Sequence, residues 1–124
     1  EESGGNLAKA RELLKQRGKQ LALKKGAREV GEGIVAVYMH PTGKTAAMID
    51  LRCETDFVAR SEDFKNLSHE LALQVASMDP ESMEELLSQP YIRDPGKTIQ
   101  DLISESIAKL GENIMIKRFS RFEI

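Results

Sequence analysis

Several features that mark particular classes of protein are missing from this sequence. Its single cysteine excludes an internal disulfide and a metal site built from thiolates alone, and it favours a reducing compartment. No apolar run approaches the roughly 18 residues that a membrane span requires, and the first residues show no signal-peptide pattern. We therefore expect a cytoplasmic protein that does not associate with a membrane.

A strong excess of charge of one sign is also missing. The 18 Lys and Arg residues nearly balance the 20 Asp and Glu residues, and the formal net charge of -2 gives no support for general nucleic-acid binding. Basic residues crowd positions 9–28, but no aromatic residue is interleaved among them to stack on bases. We interpret this segment as a solvated helix face that could steer an acidic partner.

Groups arranged for catalysis are not evident either. His40 and His69 have no acid or nucleophile placed to work with both, and the Asp and Glu residues form no metal-ligand group. Cys53 falls on the apolar face of a predicted strand, so a buried, inert thiol is favoured over a nucleophile that works with His69. We expect no enzyme activity, no cofactor and no metal.

The run Gly43-Lys44-Thr45 invites comparison with a phosphate-binding loop. That motif requires another glycine five positions before Gly43, where this chain has Tyr38, and it joins a strand to a helix. Here the run lies between two predicted strands. We therefore reject a nucleotide site at this turn.

Hydrophobic periodicity predicts an α+β fold in which two strands, three helices and a last strand follow one another. The predicted ranges are 34–40, 45–54, 61–78, a short helix after Ser82, a helix from about Thr98 to Gly111, and 113–124. Ser61 can cap the first of these helices, and the last starts near Thr98, with Asp101 three residues on, and is stopped by Gly111. The first strand is apolar on both faces, which indicates a central position in the sheet. A change of phase in the last strand predicts a bulge near Lys117 to Phe119.

This order predicts a small three-stranded antiparallel sheet with helices packed on one face, in the sequence strand-strand-helix-helix-helix-strand. Two N-terminal helices are predicted before it, from about Asn6 to Gly18 and from Lys19 to about Val30. We divide the chain accordingly into an N-terminal helical segment and linker, residues 1–31, and a core domain, residues 32–124.

The stretch 51–60, Leu-Arg-Cys-Glu-Thr-Asp-Phe-Val-Ala-Arg, joins the second strand to the next helix. Phe57 lies on this connector at the surface, where an aromatic ring gains little unless another surface receives it. The residues alone leave two interpretations open. Phe57 and Val58 fold back as a plug under the helix start, with Asp56 as a cap, or the ring and the carboxylate beside it are offered to a partner.

The run 53–60 resembles the signature of the elongation factor Ts family, which are nucleotide-exchange factors for the translational GTPase elongation factor Tu. Arg52 departs from the pattern, since the family commonly has Asn there. Residues 111–114, Gly-Glu-Asn-Ile, and the pair Arg118-Phe119 are similar to the closing strand of that family. The resemblance is to a short form or core fragment in which the small N-terminal helical domain is largely missing.

The resemblance implies a function in binding and exchange. Phe57 would push between two helices of the GTPase, Asp56 would disturb the groups that organise the magnesium ion, Thr55 would fix the turn, and Val58 would support the ring. It also implies elongation factor Tu as the partner and a core that pairs with itself as a homodimer. The alternative is a structural or interaction module that has the same fold and no exchange activity.

Overall fold

The computed structural model describes residues 28–124. Nine helices and strands follow one another within that range. They are β1 (Glu32–Met39), β2 (Thr45–Cys53), α1 (Asp56–Ala59), α2 (Glu62–Met78), α3 (Met83–Ser88), β3 (Pro90–Tyr91), β4 (Asp94–Thr98), α4 (Ile99–Leu110) and β5 (Met115–Glu123). The prediction of an α+β fold with a three-stranded antiparallel sheet is confirmed.

The main sheet has the strand order β1-β2-β5, with both neighbouring pairs antiparallel. The prediction that the first strand is central is therefore wrong, because β2 occupies the centre and β1 lies at an edge. Val35, Val37 and Met39 on the outer face of β1 are 54–61% exposed. The apolar character of both faces thus reflects an uncovered apolar surface and not burial between two layers.

The predicted bulge in the last strand is confirmed. Asp50 on β2 pairs with Arg118 on β5, whereas the next residue, Leu51, pairs with Ile116, so Lys117 is the extra residue of β5. An extra residue shifts the alternation of faces by one position. This shift brings Phe119 opposite Ile49, on the face of the sheet that packs against the core.

The core lies between one face of the sheet and the helices. Alternate residues of β2 are buried on this face, and α2 covers them with a stripe of apolar side chains at helical spacing. The buried residues of these two elements include Ala47, Ile49, Leu51, Cys53, Phe64, Leu67, Leu71 and Val75. Ser61 caps α2 by accepting from the Phe64 N–H at 3.3 Å, as the sequence predicts.

Both ends of α4 also agree with local sequence signals. Thr98 and Asp101 form a reciprocal capping box at the start of α4. Gly111 ends this helix with a φ of 78°, a left-handed conformation that glycine adopts without steric cost. The turn that contains Gly43 joins β1 to β2, which agrees with the rejection of a phosphate-binding loop there.

Two elements were not predicted from the sequence. The first is the small antiparallel pair β3–β4, which occupies the stretch between the last two predicted helices, where no strand was predicted. The second is α1, a single helical turn within the expected connector between β2 and α2. Both are short, and their residues carry no periodic apolar pattern long enough to reveal them.

The predicted N-terminal helices lie almost entirely outside the described residues, and the division into residues 1–31 and 32–124 stays a prediction. Arg28 to Val30 belong to the second predicted helix and are not helical. Among residues 28–124, no helix is both long enough and apolar enough to cross a bilayer.

Candidate partner-binding site

Eight residues join β2 to α2, and four of them form α1. We call residues 54–58, which include the start of α1, the 54–58 corner. Thr55 has an extended backbone, with φ -126° and ψ 153°, and its hydroxyl oxygen accepts from the Val58 N–H at 3.2 Å. This side-chain cap starts α1. The Ser61 hydroxyl donates to the Val58 carbonyl at 2.7 Å and so ties the end of α1 to the start of α2.

The four residues of α1 divide into a buried pair and an exposed pair. Val58 and Ala59 are 6% and 1% exposed and belong to the main core. Phe57 is 83% exposed, and Asp56 beside it also faces solvent. Each of the two interpretations of this stretch therefore holds for one residue. Val58 folds back into the core, whereas Phe57 points outward into solvent. The helix cap is Thr55 and not Asp56.

Asp56 has a partner within its own chain. The Arg60 guanidinium lies 2.9 Å from the Asp56 carboxylate, four residues along the chain. Both side chains are more than half exposed, so solvent weakens this ion pair and leaves the carboxylate able to exchange partners. Sequence reasoning named Asp56 and overlooked Arg60, although spacing by four is a known signal for such pairs in helices.

A carboxylate from the other end of the chain holds the corner in place. Glu112, in the connection between α4 and β5, accepts the Glu54 and Thr55 backbone N–H groups at 3.1 and 3.0 Å. Its second oxygen accepts the Thr55 hydroxyl at 2.7 Å. Glu54 reciprocates, since its carboxylate accepts the Asn113 N–H at 2.5 Å. We call these four hydrogen bonds the Glu112–Glu54 brace.

The brace could not be predicted from local patterns. Its partners are separated by 57 to 59 residues, so no helix or strand periodicity relates them. The sequence singled out the two segments separately, as two patches that resemble one family. Their spacing carried no sign that the patches are in contact.

Cys53 lies directly before the corner and takes no part in presenting it to solvent. Its side chain is fully buried, and its thiol donates to the Thr55 carbonyl at 3.2 Å. Burial raises the pKa of Cys53 to about 11, and the nearby Glu112 carboxylate adds to the shift. The thiol is therefore held in its unreactive, protonated form at neutral pH.

The described residues offer no evident metal site. Between Arg28 and Ile124, no group of three or more His, Cys, Asp or Glu side chains lies close enough to hold a metal ion. His69 contacts the Tyr38 ring edge-on, with ring centroids 6.2 Å apart. What this region offers to another molecule is therefore a ring and a carboxylate on a fixed backbone.

Comparisons with known proteins identify the family to which this arrangement belongs. A family model described as "Elongation factor TS" matches residues 54–124, which is more than half of the chain. A Coprothermobacter proteolyticus protein named elongation factor Ts is 39% identical over 100% of this chain and 86% of its own length. The protein of the same name from Rubrobacter xylanophilus is 35% identical over 100% of this chain and 87% of its own.

The chain belongs to the elongation factor Ts family. The resemblance that residues 53–60 and 111–114 suggested is thereby confirmed. A third relative, elongation factor Ts of Aquifex aeolicus, is 42% identical over 99% of this chain but only 44% of its own length. The two alignments described above span 169 positions each, so those relatives contain internal residues with no counterpart among the 124 of this chain.

This member of the elongation factor Ts family has a second unusual surface, on the side of the main sheet away from the core. Large apolar side chains that are 49–75% exposed cluster there. We call this surface the open face; its apolar residues are Val35, Val37, Met39, Met48 and Phe122. Isolated exposed apolar residues are ordinary, but a contiguous group of this kind marks an interaction surface.

Charged residues occupy one end of the open face. The Asp50 carboxylate accepts from Arg52 at 2.6 and 3.2 Å and from Arg118 at 3.3 Å. The hydrogen bond from Arg52 is the main reason that the pKa of Asp50 lies below its usual value. Arg52 is the position where the sequence departs from the family pattern, and the structure gives this arginine a carboxylate partner on its own strand.

Proposed function

We propose that this chain is a guanine-nucleotide exchange factor for elongation factor Tu and that the 54–58 corner is the part that promotes GDP release. Membership of the elongation factor Ts family supports the partner and the general role. The observation that carries the choice of segment is the 83% exposure of Phe57, directly beside the buried Val58 and Ala59. A large ring in water on an anchored turn is suited to fill a pocket of a partner.

The corner would act by competing with the groups that hold the nucleotide. On this proposal Phe57 inserts between two helices of the GTPase, and Asp56 with the adjoining backbone disturbs the groups that organise the magnesium ion. Thr55 fixes the turn through its cap, and Val58 anchors α1 in the core. Binding of the factor and binding of the nucleotide are linked. If the factor lowers the affinity of the GTPase for the nucleotide by some ratio, the nucleotide lowers the affinity of the GTPase for the factor by the same ratio.

The test is the rate of labelled GDP release from elongation factor Tu at increasing concentrations of this chain. We expect wild type to accelerate release and Phe57→Ala to lose most of the acceleration. The fold should be unaffected, because an 83% exposed ring contributes little to the core. The midpoint of urea denaturation, compared with that of wild type, measures the stability of the variant separately.

Met78→Ala is the matched control. Met78 is also a partly exposed apolar residue, at 43%, but it ends α2, the helix that begins next to the corner. A helix of 17 residues is about 25 Å long, so this truncation lies far from the corner. Equal GDP release with Phe57→Ala and wild type would refute the proposed role of the corner. Failure of wild type to accelerate release would refute the exchange function itself.

On this proposal the chain acts in the cytoplasm, needs no cofactor and does not bind nucleic acid directly. The near-neutral charge supports the last point, since nucleic-acid binding relies on a basic surface. The same assay addresses it: added RNA should leave the acceleration of GDP release unchanged.

The open face supports a second proposal, that two copies of this chain pair through it. Its apolar residues cover the side of the sheet opposite the core, and β1 adds a strand edge that pairs with no other strand among residues 28–124. The same surface is what the alternative function, an interaction module without exchange activity, would use. Pairing and exchange are separate properties, because the open face and the 54–58 corner share no residues.

Sedimentation equilibrium tests the pairing. We expect wild type to approach the mass of two chains and Val37→Lys, which puts a charge on a half-exposed apolar position, to sediment as one. The position faces solvent, so the variant should fold. Wild type that remains a single chain at all concentrations would refute the pairing.

A further inference from the structure

We propose that Glu112 is a positioning residue for nucleotide exchange: through the Glu112–Glu54 brace it fixes the direction in which α1 presents Phe57. This inference rests on the proposed exchange function and goes beyond it. It assigns a role to a residue that lies outside the corner and 55 positions along the chain from the ring.

The Glu112 side chain alone makes three of the four bonds of the brace. The two carboxylate oxygens of Glu112 accept three hydrogen bonds, at 3.1, 3.0 and 2.7 Å, from two consecutive residues, Glu54 and Thr55. Two of the donors are backbone N–H groups, so the bonds fix the peptide planes as well as a side chain. Hydrogen bonds to an ionised acceptor are about twice as strong as neutral ones.

The hydrogen bonds of Glu112 continue into α1. The Thr55 hydroxyl that donates to Glu112 also accepts from the Val58 N–H at 3.2 Å. One oxygen atom thus joins Glu112 to the first turn of α1, and Phe57 lies between the two residues of that link. A change in the orientation of Thr55 is therefore passed to the backbone that carries the ring.

The residues on either side of Glu112 are themselves held in place. Glu112 follows α4, whose last turn ends at Gly111, and it precedes the buried residues Asn113 and Ile114. The Asn113 N–H donates to Glu54, and the Asn113 side-chain amide donates to the Arg28 carbonyl at 2.9 Å. The brace therefore ties the corner to the part of the chain where α4 and β5 meet.

The short helix α1 needs the brace in order to hold Phe57 in one direction. A helical turn of four residues is too short to be stable by itself. Binding groups are effective only when neighbouring contacts hold them to within about 0.5 Å of the productive geometry. Val58 anchors one side of the turn in the core, and Glu112 holds the other side.

The test compares Glu112→Ala and Glu112→Gln with wild type in the GDP-release assay, over a range of factor concentrations. Glu112→Ala removes all three bonds and should raise the concentration for half-maximal acceleration by about tenfold or more, since the loss of even one hydrogen bond to a charged group has about that effect. Glu112→Gln keeps an oxygen for the two backbone N–H groups and should recover most of that loss. Glu105→Ala, which removes an α4 carboxylate bonded to Lys97, is the control and should behave as wild type.

Two further measurements separate positioning from general stability. Backbone amide hydrogen exchange at Glu54 and Thr55 should accelerate in Glu112→Ala, while amides in the centre of β2 keep their protection. A double-mutant cycle with Phe57→Leu, which keeps an apolar side chain and should leave measurable exchange activity, should show that the effect of Glu112→Ala shrinks when the ring is absent.

The outcomes distinguish this inference from the proposed function. If Phe57→Ala leaves GDP release unchanged, the exchange role of the corner fails, and the positioning role fails with it. If Phe57→Ala loses acceleration while Glu112→Ala matches wild type, only the positioning role is overturned. The positioning role is also overturned if Glu112→Ala costs the same factor with Phe57 and with Leu at that position, because Glu112 would then act by a route independent of the ring.

Discussion

Replacing Gln74 by leucine should destabilise this protein more than a change between side chains of similar size suggests. Gln74 lies on α2 and is fully buried. Its amide donates to the Gln89 side chain at 3.2 Å and to the Pro90 carbonyl at 3.0 Å, and it accepts from the Ile92 N–H at 3.1 Å. One side chain thus ties the pair β3–β4 to the main helix.

The magnitude follows from these three bonds. Each contributes about 1 kcal/mol net, so their loss costs about 3 kcal/mol, and the unpaired Ile92 N–H and Pro90 carbonyl are only partly screened by water. Burying a leucine in place of the amide offsets about 1 kcal/mol. The expected net loss is about 2 kcal/mol, which is a large part of the 5 to 15 kcal/mol typical of a domain.

Urea denaturation followed by circular dichroism measures this change. With a slope of about 1 to 1.5 kcal/mol per molar urea for a domain of this size, the midpoint should fall by about 1.3 to 2 M. Gln100→Leu is the matched control, since Gln100 is exposed on α4 and its substitution should change stability by at most about 0.5 kcal/mol. A Gln74→Leu protein as stable as wild type would refute the view that this amide holds β3–β4 in place.

Three other predictions concern β1 and β2. Gly33→Ala should lower the melting temperature by several degrees, because an added Cβ would lie 2.1 Å from the Leu51 carbonyl oxygen; an unchanged melting temperature would contradict this close approach. The pKa of Asp50 is lowered on folding, chiefly by the hydrogen bond from Arg52, so its contribution to stability is present above the unfolded value of about 3.9 and is lost as the pH falls through the folded value. Asp50→Asn should therefore lose less stability than wild type in urea titrations taken below pH 4, and equal losses would contradict the assignment. Cys53, with its pKa raised to about 11 by burial, should react with iodoacetamide at pH 8 only after unfolding, and rapid labelling of the native protein would show that the thiol is open to solvent.

Features that depend on neighbours in sequence were predicted well. The caps at Ser61 and Thr98 and the left-handed end at Gly111 each involve residues within four positions of one another. The bulge at Lys117 was predicted because the residues of β5 alternate, and a single extra residue reverses the alternation. In each case the physical cause lies within one turn of helix or a few residues of strand.

Features that depend on distant residues were missed or predicted wrongly. Strand β1 is apolar on both faces, and the sequence cannot distinguish a strand covered by two layers from an edge strand with an uncovered apolar face. Gln74 on α2 bonds the Pro90 carbonyl and the Ile92 N–H of the β3–β4 region, and nothing in the sequence of that region indicates this support. The outward position of Phe57 was one of two open interpretations, since burial of Val58 beside it is equally compatible with the local sequence.

The exposure of Phe57 and the burial of Val58 beside it in α1 meet a single physical requirement of the proposed exchange function. The coupling between factor and nucleotide is typically worth only 1 to 3 kcal/mol, as a rough range. Ordering a flexible side chain on binding costs about 0.5 to 1.5 kcal/mol. A flexible connector would therefore offset much of that coupling free energy. On the proposed function, a turn that is already ordered, by Val58 in the core and by Glu112 at Thr55, leaves the free energy of inserting Phe57 available to weaken GDP binding. On that proposal, Val58 and Glu112 therefore determine how much of the contact made by Phe57 appears as exchange.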